Sequence, residues 1–215
     1  MSLVLHFHPL ASYCWKVLIA LYENHTAFDP RVVDFSDPEA SAAFRKLSPF
    51  GKMPVLIDPT RAVVLQESSI IIEYLQDHHP GATRFLPAEP DLALQARLQD
   101  RVLDLYVHNS MQKIVADRLR RPGEKDPKGV AESRDTLRAA YAMLDGQLAE
   151  WGWALGDQFT IADCAAAPAL FYANKVEPFA AAHEKLTGYL GRLLARPSVA
   201  RTVAEAEPYF KYFPE

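Results

Sequence analysis

Two short stretches of this 215-residue chain have the features of a peptide-binding site. The first, Gly51-Lys52-Met53-Pro54-Val55-Leu56, is a loop that enters a short apolar strand through a proline. Proline has no N–H to donate and is tolerated at the first positions of a strand. Cis peptide bonds occur almost only before proline, so Met53-Pro54 is a candidate for one. We expect the Met53 N–H and C=O to be turned away from the sheet, where they can pair with an extended peptide.

The second stretch, Gln66–Leu75, opens a helix. Ser68 is placed to cap this helix, whose first N–H groups have no partners within it. Such a helix start attracts an anion, for instance a carboxylate. Glu67 beside it is a natural partner for an ammonium group. Together with a backbone that can pair as a strand, these groups favour a small zwitterionic peptide as the ligand.

These two stretches together resemble the glutathione-binding half of cytosolic glutathione S-transferases. The resemblance extends from residue 3 to about residue 210. It implies that glutathione is a substrate, with Lys52 at its terminal carboxylate and Glu67 and Ser68 at its γ-glutamyl end. Lys52 is equally well interpreted as a solvated surface lysine. The glutathione-binding residues implied by the resemblance are Lys52, Met53, Pro54, Glu67 and Ser68.

The reaction that this resemblance implies is attack by the glutathione thiolate on an electrophile. A free thiol has a pKa of about 8.5, and the thiolate is the nucleophile, so the enzyme must favour it. A hydroxyl donor and a helix N-terminus aimed at the sulfur would do so. The first strand-to-helix turn, Pro9–Val17, supplies both.

Ser12 is the first candidate for this hydroxyl donor. Serine-type members resemble Ser-x-x-x-x-(Arg/Lys)-Val, and the Lys-Val pair of this chain puts that position at Ala11, which has no hydroxyl. Ser12 follows it, as in the paired-serine motif of zeta-like members. Cys14 is the runner-up, since a cysteine in a first helical turn can have a depressed pKa, and Tyr13 ranks below it. Alternatively, Ser12 only caps the helix, Cys14 is a small buried hydrophobe, and backbone amides alone act on the thiol.

The resemblance also implies an electrophile cleft and a subunit interface. It places the second substrate against the long helices, near Tyr106, His108 and Met111, which are equally well ordinary core or surface residues. Phe50 precedes Lys52 in the loop, where some family members insert an aromatic residue into the partner subunit. An aromatic anchor is typical of interface hot spots, so a two-fold homodimer is expected. The alternative is that Phe50 covers its own domain.

Composition excludes several other classes of protein. The net charge is −4, without the clustered basic face that nucleic-acid binding needs. Two distant cysteines, Cys14 and Cys164, form no disulfide framework. His6 and His8 share a strand face, but without further ligands at matching spacing we expect no metal site. The sequence has no run of about 18 apolar residues that would predict a membrane span, and no secretory signal is evident. We therefore expect the protein to function in a reducing cytoplasm.

Hydrophobic periodicity predicts an α/β half followed by an all-α half. Residues 1–80 are expected to form a thioredoxin-like domain and residues 81–90 a linker. The predicted order is β-α-β-α-β-β-α, with strands at 3–7, 28–34, 54–57 and 62–65 and helices at 12–24, 38–47 and 67–78.

Residues 91–215 are expected to form a helical bundle. Helices are predicted at 91–120, 130–151, 161–176 and 183–195, with a short last one from 197. Thr160 and Asp163 form a predicted capping box, a folding feature. Two apolar faces are predicted: Leu98, Val102, Leu105, Met111 and Val115 on the first helix, and Leu137, Tyr141, Leu144, Leu148 and Trp151 on the second.

The expected function is therefore glutathione transfer to small, apolar electrophiles. A thiol reductase or peroxidase that uses Cys14 is one alternative, and a glutathione-dependent isomerase or dehalogenase is another. A non-catalytic dimeric scaffold is the third, and Ala11 is its main support.

Overall fold

The computed structural model describes residues 2–214. Residues 3–78 have the predicted order of strands and helices. This order was predictable because local patterns of apolar residues and turn formers determine each element. The elements are β1 (Leu3–Phe7), α1 (Ser12–Glu23), β2 (Phe28–Val32), α2 (Pro38–Leu47), β3 (Val55–Asp58), β4 (Val63–Leu65) and α3 (Ser68–His78).

The four strands form one mixed sheet in the order β2-β1-β3-β4. β1 and β2 are parallel, and α1 is the crossover between them. β3 runs antiparallel to both β1 and β4, which confirms the predicted hairpin. Along β1, Leu3, Leu5 and Phe7 are buried while the residues between them are partly exposed, as the period of two in a strand requires.

The second part is helical, as predicted, apart from two isolated bridges in the loop after α6. Helix α3 ends at His78 and α4 begins at Pro90. The predicted domain boundaries at residues 80 and 90 are compatible with these ends, and the division into domains stays a prediction. The elements are α4 (Pro90–Val102), a π-helical segment (Leu103–His108), α5 (Asn109–Arg118), a 3₁₀ turn (Pro122–Glu124), α6 (Pro127–Gln147), α7 (Ile161–Val176), α8 (Glu184–Ala195), α9 (Pro197–Ala206) and a final 3₁₀ helix (Glu207–Tyr212).

The single helix predicted over residues 91–120 is interrupted by the π-helical segment. Its predicted apolar face was also wrong in part, since Leu98 and Leu105 are exposed whereas Leu103 and Val107 are buried. Leucines occur on both faces of this helix, so periodicity alone does not identify the face that packs against the core.

Helix α6 ends at Gln147, four residues before the predicted end. Leu148 already has an extended backbone, and Trp151 lies in the following loop with 74% of its surface exposed, so its predicted place on the buried face was wrong. The predicted capping box at the start of α7 is confirmed. The Asp163 carboxylate accepts the Thr160 N–H at 2.7 Å and the Tyr189 hydroxyl at 2.7 Å.

Helix α1 joins the two parts of the chain by packing against α3, α7 and α9. Trp15 is fully buried, with its ring 5.1 Å from those of Phe171 and Tyr172 on α7. Its indole N–H donates to the Pro9 carbonyl at 2.6 Å, which fixes the loop that leads into α1. Within residues 2–214, no helix is both long and apolar enough to cross a membrane.

Candidate functional site

One open cleft of about 820 Å³ lies between the two parts of the chain. One wall comes from the loops before α1, β3 and α3, and the other comes from the π-helical segment, α5 and the residues after α9. The first wall includes Ser12, Lys52, Met53, Pro54, Glu67 and Ser68. The second includes Leu105, Met111, Val115, Tyr212 and Phe213. The cleft therefore has a polar side and a largely apolar side.

Ser12 is the first residue of α1 and lines the cleft. Ala11 occupies the N-cap position and has no side chain that could cap the helix, and Ser12 makes no capping hydrogen bond. Instead, the Ser12 Oγ atom lies 2.6 Å from Nε2 of His108, at the end of the π-helical segment. This contact links the start of α1 to the π-helical segment, and His108 itself is not among the residues that line the cleft, where it was expected.

His108 is completely buried behind Ser12. The ring of Tyr13 stacks on the imidazole with 3.8 Å between centroids and 8° between planes. The Tyr13 hydroxyl donates to Oδ1 of Asn109 at 3.2 Å. Burial, and secondarily the charge of Lys16, lowers the pKa of His108 to about 3. The imidazole is therefore neutral at physiological pH.

Cys14 lies two residues after Ser12 in an entirely different environment. Its side chain is fully buried in the core and is not among the residues that line the cleft. Burial raises the pKa of its thiol to about 12, although a hydrogen bond with the His8 backbone opposes this shift. The environment of Cys14 therefore keeps it a protonated core residue.

Lys16 lies one turn further along α1 and is the centre of a buried ion cluster. Its ammonium group donates to Asp100 at 2.8 Å, to Asp104 at 2.9 Å and to the Ser69 hydroxyl at 2.9 Å. Arg101 also contacts Asp104. Burial raises the pKa of Asp104, and the nearby Lys16 opposes this shift. The cluster connects α1, α3, α4 and the π-helical segment, and its Asp104 and Arg101 also line the cleft.

The loop before β3 exposes backbone groups to the cleft. The Met53-Pro54 bond is cis, as predicted. Within residues 2–214, the Met53 N–H and C=O form no hydrogen bond. The loop is fixed by Ser48, whose hydroxyl donates to the Lys52 carbonyl at 2.8 Å and accepts the Lys52 N–H at 3.1 Å. The Lys52 side chain remains exposed.

The start of α3 differs from the expected capping arrangement. The helix begins at Ser68, so Glu67 occupies the N-cap position, and no side chain caps the helix. The predicted capping role of Ser68 was therefore wrong by one residue. Glu67 has a φ of 65°, a left-handed conformation that is uncommon outside glycine and concentrates at functional sites. This turn leaves Glu67 exposed and presents the helix start to the cleft.

The remaining candidate residues lie in different surroundings. Met111 lines the cleft, whereas Tyr106 is exposed and is not among the lining residues. Phe50 lies at the mouth of the cleft with 81% of its surface exposed. His6 and His8 contact the rings of Phe44 and Tyr209, respectively. In the described part of the chain, no group of three or more His, Cys, Asp or Glu residues is arranged to hold a metal ion.

Sequence reasoning missed several aromatic residues of the cleft. Tyr13 was ranked low, and Tyr172, Tyr212 and Phe213 were not candidates. The Tyr172 hydroxyl donates to the Leu10 carbonyl at 3.0 Å, and the Phe213 ring packs on Tyr172 at 5.4 Å. The donor and acceptor of this hydrogen bond are 162 residues apart, so no local pattern could have connected them.

Comparison with known proteins agrees with this arrangement. Residues 5–83 match the glutathione S-transferase N-terminal domain family, and residues 127–192 match the glutathione S-transferase C-terminal domain family. The chain belongs to the glutathione S-transferase family. Glutathione S-transferase 3 from Zea mays is 30% identical over 211 residues, which cover 94% of this chain and 93% of that protein.

Other relatives of this glutathione S-transferase family member have different names. A stringent starvation protein A homolog from Coxiella burnetii is 31% identical over 79% of this chain and 75% of its own length. A probable maleylacetoacetate isomerase from Caenorhabditis elegans is 28% identical over 80% of this chain and 79% of its own length. A solved glutathione S-transferase from Methylobacterium radiotolerans, in complex with glutathione sulfonate, is 28% identical with a TM-score of 0.80, covering 94% of this chain and 95% of that one.

Proposed function

We propose that this chain binds glutathione in the cleft and uses its thiolate to attack small apolar electrophiles. The observation that carries this proposal is the position of Ser12, which lines the same cleft as Met53 and the start of α3. A peptide paired with the Met53 backbone and docked by its amino-acid head at Ser68 directs its central side chain toward the start of α1. The complex of the Methylobacterium relative supports glutathione as that peptide.

Each end of glutathione has a matching group on the polar wall. Glu67 pairs with the γ-glutamyl ammonium group, and Ser68 with the first N–H groups of α3 accommodates the neighbouring carboxylate. The Met53 N–H and C=O pair with the cysteinyl backbone, beside Pro54. Lys52 pairs with the glycyl carboxylate. In this arrangement opposite charges meet at both ends of the peptide.

Ser12 then favours the ionised thiol. Its hydroxyl donates a hydrogen bond to the sulfur, and hydrogen bonds to an ionised acceptor are roughly twice as strong as neutral ones. The N-terminus of α1 adds a favourable dipole. Both effects act on the thiolate more than on the thiol, so they lower the pKa of bound glutathione.

The opposite wall favours an uncharged second substrate. Leu105, Val115 and Phe213 supply apolar surface. The cations on the cleft wall are Lys52, assigned to glutathione, and Arg101, whose charge is paired with Asp104. An acidic second substrate would therefore lack a free cationic partner among the described lining residues.

A glutathione-dependent isomerase is the second candidate function. It is supported by the similarity to the probable maleylacetoacetate isomerase from Caenorhabditis elegans. Both reactions begin with attack on the second substrate by the glutathione thiolate that Ser12 stabilises. They differ in the identity of that substrate. The reductase alternative lacks such support, because Cys14 is fully buried.

We also propose a homodimer that functions in the cytoplasm, where glutathione is kept reduced. Phe50 supports the dimer, because an aromatic ring with 81% of its surface exposed is typical of an interface anchor. Analytical ultracentrifugation checks the proposal, since twice the 24.1 kDa mass of the chain is expected. A monomer at assay concentrations would contradict it.

The test of the function is glutathione binding and turnover in wild type and Ser12→Ala. We expect calorimetry to detect glutathione binding by both proteins, and a panel of electrophiles to identify conjugation by the wild type. Loss of the hydrogen bond to the thiolate should raise the activation barrier by about 1.5–3 kcal/mol. The control is Ser133→Ala, which removes a buried hydroxyl on α6 outside the cleft and should leave turnover unchanged.

Three results would contradict parts of this proposal. Absence of glutathione binding by the folded protein would favour the non-catalytic scaffold. Turnover by Ser12→Ala equal to that of the wild type would remove Ser12 from the reaction. Activity confined to the isomerisation of acidic substrates would favour the second candidate.

A further inference from the structure

We propose that His108 is a positioning residue for Ser12. Its Nε2–H donates to the Ser12 hydroxyl oxygen, and the hydroxyl proton of Ser12 is then free for the glutathione sulfur. The inference rests on the proposed function, since it concerns how Ser12 acts on the bound thiol. Its geometric basis is the distance of 2.6 Å between Ser12 Oγ and His108 Nε2. Both side chains are buried, although Ser12 also lines the cleft, so the contact is formed largely out of water.

The direction of this hydrogen bond decides what Ser12 can do. A neutral imidazole carries one proton, on either Nδ1 or Nε2. With the proton on Nδ1, Nε2 is an acceptor and takes the only proton of the Ser12 hydroxyl. With the proton on Nε2, the imidazole donates to Oγ, and the hydroxyl proton points elsewhere. Only the second tautomer lets Ser12 donate to a thiolate.

The surroundings of Nδ1 favour the second tautomer. This atom is buried and has no hydrogen-bond partner within residues 2–214. An unsatisfied buried donor or acceptor costs its desolvation penalty, but orphaned buried N–H groups are rarer in native structures than under-satisfied acceptors. A bare lone pair on Nδ1 therefore costs less than a buried N–H there, and the proton resides on Nε2.

The neighbours of His108 keep it in this state. Burial and the Lys16 charge exclude the imidazolium, whose second N–H would again be unpartnered. The stacked ring of Tyr13 fixes the plane of the imidazole. The Gln112 amide nitrogen lies 3.3 Å from Nε2. An amide nitrogen only donates, so the proposed tautomer requires the flipped amide, whose oxygen accepts from the same N–H.

The test combines Ser12→Ala, His108→Phe and the double variant. Phenylalanine retains an aromatic ring to stack on Tyr13 but has no N–H. The ultraviolet absorbance of enzyme-bound glutathione, followed as a function of pH, measures the pKa of its thiol. We expect His108→Phe to raise this pKa by roughly one unit and to lower kcat about 10-fold, with little change in the affinity for glutathione.

Non-additivity distinguishes a positioning role from a structural one. If His108 acts through Ser12, the double variant should have the same thiol pKa and kcat as Ser12→Ala. His108→Gln retains an N–H donor and should recover most of the lost turnover. The matched control is His183→Phe, because His183 also has a buried Nδ1 without a partner in the described residues but lies beside Tyr141, outside the cleft.

The inference is overturned if His108→Phe leaves the thiol pKa unchanged while Ser12→Ala raises it, or if the two effects add in the double variant. Both results would leave the proposed function intact. If the wild type forms no bound thiolate, the proposed function fails and the role of His108 fails with it. If His108→Phe does not fold, His108→Leu, which also lacks an N–H donor, replaces it in the same comparison with wild type, Ser12→Ala and the double variant.

Discussion

Helix α1 contributes to two buried polar clusters one turn apart, and they differ in how completely their atoms are hydrogen-bonded. At Lys16, the ammonium group contacts Asp100, Asp104 and Ser69, and Ser69 in turn donates to Asp100 at 2.7 Å. At Ser12, the only strong contact is the one with His108, and Nδ1 of His108 is left without a partner in the described residues.

This difference indicates a division of roles along one helix. Buried polar groups are normally satisfied, so an unsatisfied one in a native structure calls for an explanation. The Lys16 cluster has its partners already and holds α1, α3 and α4 together. In the tautomer proposed for His108, the Ser12 pair retains a hydroxyl proton that a ligand can use. The stability of the fold is thus expected to depend on the Lys16 cluster, and the catalytic activity on the Ser12–His108 pair.

The largest effect is expected from Lys16→Met. This change leaves the buried Asp100 and Asp104 with only the half-exposed Arg101 as a cation among the described residues. Breaking a buried ion pair in this way costs about 3–5 kcal/mol of the free energy of unfolding. Urea or guanidinium unfolding measures the loss. The control is Lys128→Met, which removes an exposed lysine 3.8 Å from Glu132 and should change stability by less than about 1 kcal/mol.

An equal stability of the two variants would show that the Lys16 cluster is not structural. If Lys16→Met does not yield folded protein, Asp100→Asn provides a milder change at the same cluster. It weakens the ion pair with Lys16 while retaining a similar shape, so a smaller loss of stability is expected.

A smaller effect is expected at Asp58, a second well-bonded carboxylate, at the turn between β3 and β4. It accepts from the Thr60 hydroxyl at 2.6 Å, from Tyr74 at 2.8 Å and from His79 at 2.9 Å. These hydrogen bonds, led by those from Thr60, hold the pKa of Asp58 well below its usual range although burial opposes the shift. Because the folded-state pKa is depressed, the resulting stability is fully present above about pH 3.9.

This contribution is lost as the pH falls through the lower, folded-state pKa. Asp58→Asn should therefore cost about 1–3 kcal/mol at neutral pH and less at about pH 2. Unfolding curves at the two pH values measure this difference. Asp135→Asn on exposed helical surface is the control, and a cost at Asp58 that does not depend on pH would contradict the assignment.

The smallest effect is expected at Cys14, which sharpens the contrast with Ser12 on the same turn. Its buried thiol, with a pKa raised to about 12, should not react with iodoacetamide in the native protein and should react once the protein is unfolded. Mass spectrometry measures both. A mixed disulfide of Cys14 with glutathione in the native state would instead revive the reductase alternative.

The parts of the fold that sequence could predict are those specified by neighbouring residues. Asp37 and Pro38 start α2 as expected, with the Asp37 carboxylate accepting the Glu39 N–H at 2.8 Å. The capping box at Thr160 and Asp163 is equally local. Each of these depends on contacts within three residues, which a sequence pattern contains.

The candidate site was predictable only on its polar side. The sequence motifs predicted Lys52, Met53 and Glu67 as binding residues, and all three line the cleft. By contrast, the contact of Ser12 with His108 joins residues 96 positions apart. Its direction depends on burial of an imidazole nitrogen, which no local pattern contains.

The π-helical segment at Leu103–His108 has a consequence for how such a cleft can change. A π-type turn holds an additional residue, and an α-helix rotates about 100° per residue, so the segment resets the helical phase between α4 and α5. Removal of one residue there is expected to keep the helix, checked by circular dichroism, while rotating Met111 and Gln112 out of the cleft. A single-residue insertion or deletion at this point is thus expected to change which residues face the cleft while the rest of the scaffold stays the same.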